Sequence, residues 1–335
     1  MRLSVLDQST AATGKREDQA IRDTIKLAQN CEAMGYYRFW VSEHHNHPAI
    51  VGTAPEIVMA AIGQSTKHIR IGSAGVMLPH YAPLKVAEQF RVLEAIAPGR
   101  IDLGLGRAPG SDGKTAYALN PNAQEDSEQF PANVRDLIAW VSDTPLIENH
   151  PFHNLKARPS GASSPEIWML GTSDYGAQVA AHFGIPYCFA HFITDGRGVE
   201  RALDLYRTLY KPSKRFPNPI ATICVWALAA DTIKDAEHLF SSRMHWKYKR
   251  ENGELTAIDD PEEIAGFAYS DTDKLRLKQF RQSAIFGDAA RVADQILDLA
   301  KTYNIDEIVI LTWTHDQADR LRSYELLADA FSLTN

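Results

Sequence analysis

Cysteine is scarce: the 335-residue chain has three, Cys31, Cys188 and Cys224. They are far apart and set among apolar neighbours, which argues against a disulfide scaffold, a zinc site or a nucleophile and for small core residues. Long hydrophobic runs are also missing, since no stretch stays apolar for the roughly 18 residues that a membrane span requires. Positive charge is not in excess. Lys and Arg number 35 against 42 Asp and Glu, giving a net charge of −7, whereas nucleic acids and anionic membranes both reward a basic face. Neither is expected as a partner. The opening run Met1 to Leu6 reads directly as a strand, without the apolar core and cleavage site of a secretory leader. The expectation is a cytoplasmic protein with a small-molecule ligand.

What the chain does have is a hydrophobic content of 44%, enough for a large core, and an alternation of short apolar runs with amphipathic stretches almost from end to end. That alternation predicts a parallel sheet. Strands are expected at 3–8, 36–43, 69–78, 100–106, 166–171, 185–191, 220–229 and 307–313. Helices are expected at 17–34, 54–65, 83–96, 125–142, 174–183, 196–210, 232–246, 288–302 and 316–331. Eight strand–helix units read as a closed TIM-type (β/α)8 barrel, with a doubly wound open sheet as the alternative. A barrel takes about 250 residues, so about 85 are left for insertions. These fall after the fourth strand (107–165) and after the seventh (243–285). No linker or composition shift divides residues 1–335, so one domain is expected. The mixed charged and aromatic stretch Arg243 to Glu254 reads as a solvated insertion packing over the barrel mouth, a candidate lid.

In such a barrel the site is built from the loops that follow the strands. Several predicted strands end in reactive or polar residues. The second runs into Glu43, His44 and His45, a carboxylate beside imidazoles that suits proton transfer, metal ligation or contact with a cofactor. The fourth ends at Arg107, the fifth at Gly171, Thr172 and Ser173, the sixth at His191, and the eighth at Trp313 and His315. Hydroxyls and free amides at a helix start form a natural phosphate seat, which Arg107 can close. Two glycine-rich strings mislead. Gly104-x-Gly106 with Gly110 has its third glycine one place late for a dinucleotide fingerprint, and Ala108 to Thr115 lacks the first glycine of a phosphate loop. A rival from another class is a metal-dependent hydrolase using His45, His47, His191, His315 and Asp316.

Five segments carry a family resemblance: WVSEHHN (Trp40 to Asn46), IGSAGVMLPHYAPLKVAEQF (Ile71 to Phe90), GRIDLGLGRAPGSD (Gly99 to Asp112), SPEIWMLGTSDYGAQVAAHFG (Ser164 to Gly184) and FGDAARVADQIL (Phe286 to Leu297). In this order and register the chain resembles the bacterial luciferase-like flavin monooxygenases. The resemblance implies a TIM-type barrel that binds reduced FMN, or in some branches the deazaflavin F420, and passes oxygen to a small organic substrate through a flavin C4a peroxide. It implies that His44 is the catalytic histidine, that Glu43 approaches the flavin ring, and that no metal is needed. Ala74 and Gly75 match a dipeptide that forms a non-proline cis bond beneath the ring. Arg107 and Ser173 match phosphate-binding positions, while Leu170, Gly171 and Thr172 match the strand edge along the flavin. The reactive cysteine that precedes the arginine in the luciferases is replaced by Gly106, so light emission is not expected. A separate flavin reductase is the implied source of reduced FMN, and a homodimer is the implied assembly.

Overall fold

The computed structural model describes residues 1–334. Among them are nine strands: β1 (Arg2–Asp7), β2 (Arg38–Val41), β3 (Arg70–Met77), β4 (Ile101–Gly106), β5 (Glu166–Gly171), β6 (Tyr187–Phe189), β7 (Ala221–Ala230), β8 (Ile285–Asp288) and β9 (Glu307–Leu311). β1 to β6 pair in parallel in sequence order, β6 pairs with β7, β7 with β9, and β9 with β1. The ring is closed with eight strands, a TIM-type barrel. β8 lies outside it. The ten residues of β7 serve two partners in turn, with Ile223–Trp226 against β9 and Ala227–Ala230 against β8.

Alternation of side chains along each strand divides the core in two. Residues such as Val5, Phe39, Ile71 and Leu103 face the surrounding helices. Leu6, Trp40, Trp168, Cys188, Cys224 and Val309 face inward, where the rings of Trp40 and Trp168 meet edge to face at 5.2 Å. Below them the barrel is fastened by charge. Arg38, 4% exposed, donates to Asp102 and Glu307 at 2.8 Å each and to Glu166 at 3.2 Å. Asp102 also accepts the Trp40 indole N–H at 2.9 Å. One guanidinium thereby joins β2, β4, β5 and β9.

The structure departs from the sequence reading in several places. β2 stops at Val41, so Glu43 to His45 are loop residues. The helix expected at 125–142 is two, Ala123–Glu128 and Phe130–Val141, because Pro131 occupies the first turn of the second and cannot continue the first. A short helix, Gly113–Leu119, precedes them. β8 was not expected, and four residues inside a charged stretch carry little periodic signal.

One departure matters most for function. The helix after β7 runs from Ile233 to Glu251, well past the expected end. Phe240, Arg243 and Trp246 recur at three-residue spacing, fall on one face, and are buried. Trp246 meets Trp313 edge to face at 4.8 Å and His47 at 6.3 Å, while Lys247 Nζ donates to Asp195 at 2.9 Å. Farther on, fully buried Ile258 exchanges backbone hydrogen bonds with Ala11 and Thr13 at 3.0 and 2.9 Å. The stretch after Arg243 therefore packs over the mouth as expected, as a roof fixed to the loops that follow β1, β2, β6 and β9, with its Arg250 to Leu255 portion exposed. No helix among the described residues is long and apolar enough to cross a membrane.

Candidate active site

The site starts from an irregularity in β3. Pairing with β4 shifts register between Ser73 and Val76, and the Ala74–Gly75 peptide bond in the bulge is cis. β4 accommodates the bulge with a glycine: a Cβ at Gly104 would lie 2.1 Å from the Ser73 carbonyl oxygen. Ser73 Oγ locks the two strands, accepting from the Gly104 amide and donating to its carbonyl, each at 3.0 Å. After the bulge, the Met77 amide donates to Glu43 Oε2 at 3.0 Å.

Glu43 is 1% exposed, and its other oxygen accepts from Tyr81 Oη at 2.6 Å and from His45 Nε2 at 2.8 Å. An ionised carboxylate only accepts, so His45 carries its proton on Nε2 in this contact. Burial, together with the Glu43 charge, raises the Tyr81 phenol well above its ordinary pKa. Glu43 thus stands behind the cavity wall, tying the loop after β2 to the end of β3. The resemblance had brought it up to the ring.

The cavity itself opens at the C-terminal ends of the strands and has a volume of about 350 Å³. His44, Ala74, Gly75, Arg107, Leu170, Gly171, Thr172 and Ser173, all named from sequence, line it together. The Arg107 guanidinium carbon lies over the Tyr175 ring, 4.0 Å from its centroid. It has no hydrogen-bond or ion-pair partner among the described residues, so its donors remain available. Ser173 caps the helix Asp174–Phe183 with its backbone, yet its exposed hydroxyl makes no capping bond. The free amides of that first turn and the guanidinium thus border one cavity and suit an anion. At Gly171 an added Cβ would meet nothing closer than 3.8 Å, so the protein has room for a side chain there and the bare strand edge leaves a flat face for a ligand.

His44 supplies the one titratable ring on the opposite wall. Its amide is held by the Gly52 carbonyl at 3.0 Å. Its Nδ1 is enclosed and has no partner among the described residues. Burial, reinforced by His47 and His45, lowers its pKa to about 4. At neutral pH the imidazole is uncharged and can accept a proton or share one with a ligand.

Sequence reasoning missed Gln8, Tyr175 and Phe192 as wall residues and set Cys188 and Cys224 aside as core. Both cysteines are 3% exposed and also line the cavity floor. Burial pushes both thiols up, so they remain protonated and unreactive. Tyr175 was the most accessible of the misses, being an aromatic residue two places after Ser173. The metal-hydrolase alternative is corrected by the histidines' own partners. His45 is bound to Glu43, His47 Nδ1 accepts the Ala49 amide at 3.1 Å, and His315 Nε2 bonds to the Thr13 carbonyl at 3.0 Å. Asp316 caps the helix Gln317–Ala330, and His191 begins a one-turn helix. No three His, Cys, Asp or Glu among the described residues come together as a metal site.

Fold and cavity together define a TIM-barrel protein with an anion seat and a flat-faced slot at the strand C-termini. The luciferase-like monooxygenase family model matches residues 1–304, and the chain belongs to that family. Among its relatives, the uncharacterized protein YwcH of Bacillus subtilis is 41% identical over 98% of this chain and 99% of its own length. The N-acetyl-S-alkylcysteine monooxygenase of the same organism is 36% identical, with 98% of both chains covered. The crystal structure of apo-MsnO8 superposes with a TM-score of 0.91 at 34% identity, covering 99% of each chain.

Proposed function

We propose that this member of the family is an FMN-dependent monooxygenase that takes reduced FMN from a separate reductase and oxidises a small organic substrate. The observation that carries this reading is the pairing, across one cavity, of Arg107 and the uncapped start of the helix Asp174–Phe183 with the Ala74–Gly75 bulge. Arg107 and Ser173 would hold the phosphate, by a charge-assisted contact and by hydroxyl and backbone donors. Ala74, Gly75, Leu170, Gly171 and Thr172 would bear on the ring plane. Bound reduced FMN supplies the two electrons that activate oxygen.

The chain's own residues do the rest. His44, uncharged and lining the cavity, exchanges a proton with the reacting group through its imidazole. Trp313 and the roof helix keep water from the mouth, which protects a reactive species from hydrolysis. Glu43, Tyr81 and His45 act as positioning residues by fixing Met77 and so the bulge. No dinucleotide-binding fingerprint occurs in the sequence, which supports an external reductase.

A reductase-coupled assay tests this. With NADH and FMN, the purified protein alone should oxidise no NADH. Adding a flavin reductase should let it draw reduced FMN and slow that flavin's reaction with oxygen relative to free flavin. Direct NADH oxidation by the protein alone contradicts the proposal.

A further inference from the structure

Arg243 is a buried charge that nothing in the protein answers. It projects from the roof helix with 8% of its surface exposed. Its guanidinium lies 4.2 Å from the Trp226 ring centroid, 5.6 Å from that of Trp313 and 5.7 Å from that of Phe280. Nε is enclosed without a hydrogen-bond partner, and no acceptor or carboxylate among the described residues lies within bonding distance of the group. Asp195, whose charge reaches it, is taken up by Lys247 at 2.9 Å. Burial lowers the Arg243 pKa to about 9 against the pull of Asp195, so the group stays charged at neutral pH. Aromatic faces attract a cation, but they offer no acceptor for its N–H groups, and an unpaired buried charge is costly to keep.

This box adjoins the cavity from the side opposite the bulge. Gln8 lines the cavity and accepts the Trp313 indole N–H at 3.1 Å. Cys224 lines it as well and lies two residues before Trp226 on the same face of β7. Arg250, two turns further along the roof helix, also has no ion-pair partner among the described residues and adds to the positive potential at His47.

We propose that Arg243 anchors the substrate: it receives the carboxylate or sulfonate of an organic anion whose apolar body lies along Trp226 and Trp313 toward the flavin. The inference rests on the flavin reading, in which the cofactor takes the β3 to β5 side of the mouth and leaves the β7 to β9 side open.

The test is titration of the purified full chain with octanoate, octane-1-sulfonate, octan-1-ol and inorganic sulfate, read by quenching of tryptophan fluorescence. Both organic anions should bind saturably and at least about tenfold more tightly than octan-1-ol or sulfate. Arg243→Met should abolish that preference, and Arg243→Lys should retain part of it. Because Arg243→Met removes an uncompensated buried charge, its Tm without ligand should not fall, whereas a purely structural arginine would give a lower Tm and an unchanged anion preference. Equal binding of octanoate and octan-1-ol, sulfate binding as tightly as octanoate, or no saturable binding of either organic anion each overturns the proposal. A parallel titration with reduced FMN separates the two claims. Octanoate binding that depends on Arg243 in a protein that binds no reduced FMN keeps the anchor and removes the flavin reading, and the reverse result removes the anchor alone.

Discussion

The imidazole of His44 is held uncharged because burial withholds the water that would solvate its cation, and His47 and His45 stand close by. A folded-state pKa of about 4 against an ordinary 6.5 means that the unfolded chain binds the extra proton first. The stability this residue contributes above pH 6.5 is therefore lost as pH falls toward 4, and changes little below that. A Tm measured across this range should fall more steeply for the wild type than for His44→Gln, and coincident curves would contradict the assignment. His44→Ala should also bind reduced FMN normally and lose most turnover. At Arg107 the outcome is reversed. Arg107→Ala should weaken reduced FMN by at least about tenfold, the size of one charge-assisted hydrogen bond, with Tm unchanged because the side chain is exposed.

At the scale of elements, the bulge of β3 is held from two sides: by Gly104, where β4 leaves no room for a Cβ, and by the Glu43 carboxylate on Met77. Gly104→Ala should force the strands apart, lowering Tm and reduced-FMN affinity together, as followed by thermal melts and flavin titration. Glu43→Gln cannot accept from all three of its partners and should lose about 1–3 kcal/mol of stability. It should leave the pH profile of turnover unshifted, which separates a positioning role from a catalytic one. The strand ends at Arg107 and at Gly171 to Ser173 were legible because an apolar run gives way abruptly to polar residues. Glu43 was legible as a site residue, but its direction was not, since the burial of one carboxylate depends on Tyr81 and His45 arriving from elsewhere. The position of the roof over the mouth was legible, but its buried face was not, for a similar reason. Charged residues at the end of the helix Ile233–Glu251 conceal a face made of Phe240, Arg243 and Trp246, and only packing shows which face turns inward.

Across the whole molecule, the barrel was legible because its eight repeating units each carry a periodic signal, while β8 was not, being four residues long and outside the ring. Closure depends on contacts between residues far apart in sequence, Arg38 with Asp102, Glu166 and Glu307 above all. Arg38→Ala leaves the buried Glu307 without a cation, while Arg70 still pairs with Asp102 and Glu166, and should lower the unfolding free energy by about 3 kcal/mol, measurable by urea denaturation. The closed barrel brings the helix start at Asp174, Arg107 and the β3 bulge to one rim, and the proposed flavin site rests on that convergence. It is tested most directly by anaerobic titration of the wild-type chain with reduced FMN, with reduced F420 in parallel, followed by admission of oxygen. Stoichiometric binding of reduced FMN is expected, tighter than that of reduced F420, with slower reaction of the bound flavin with oxygen than of the free one. Failure to bind reduced FMN, or a clear preference for F420, would contradict the proposal.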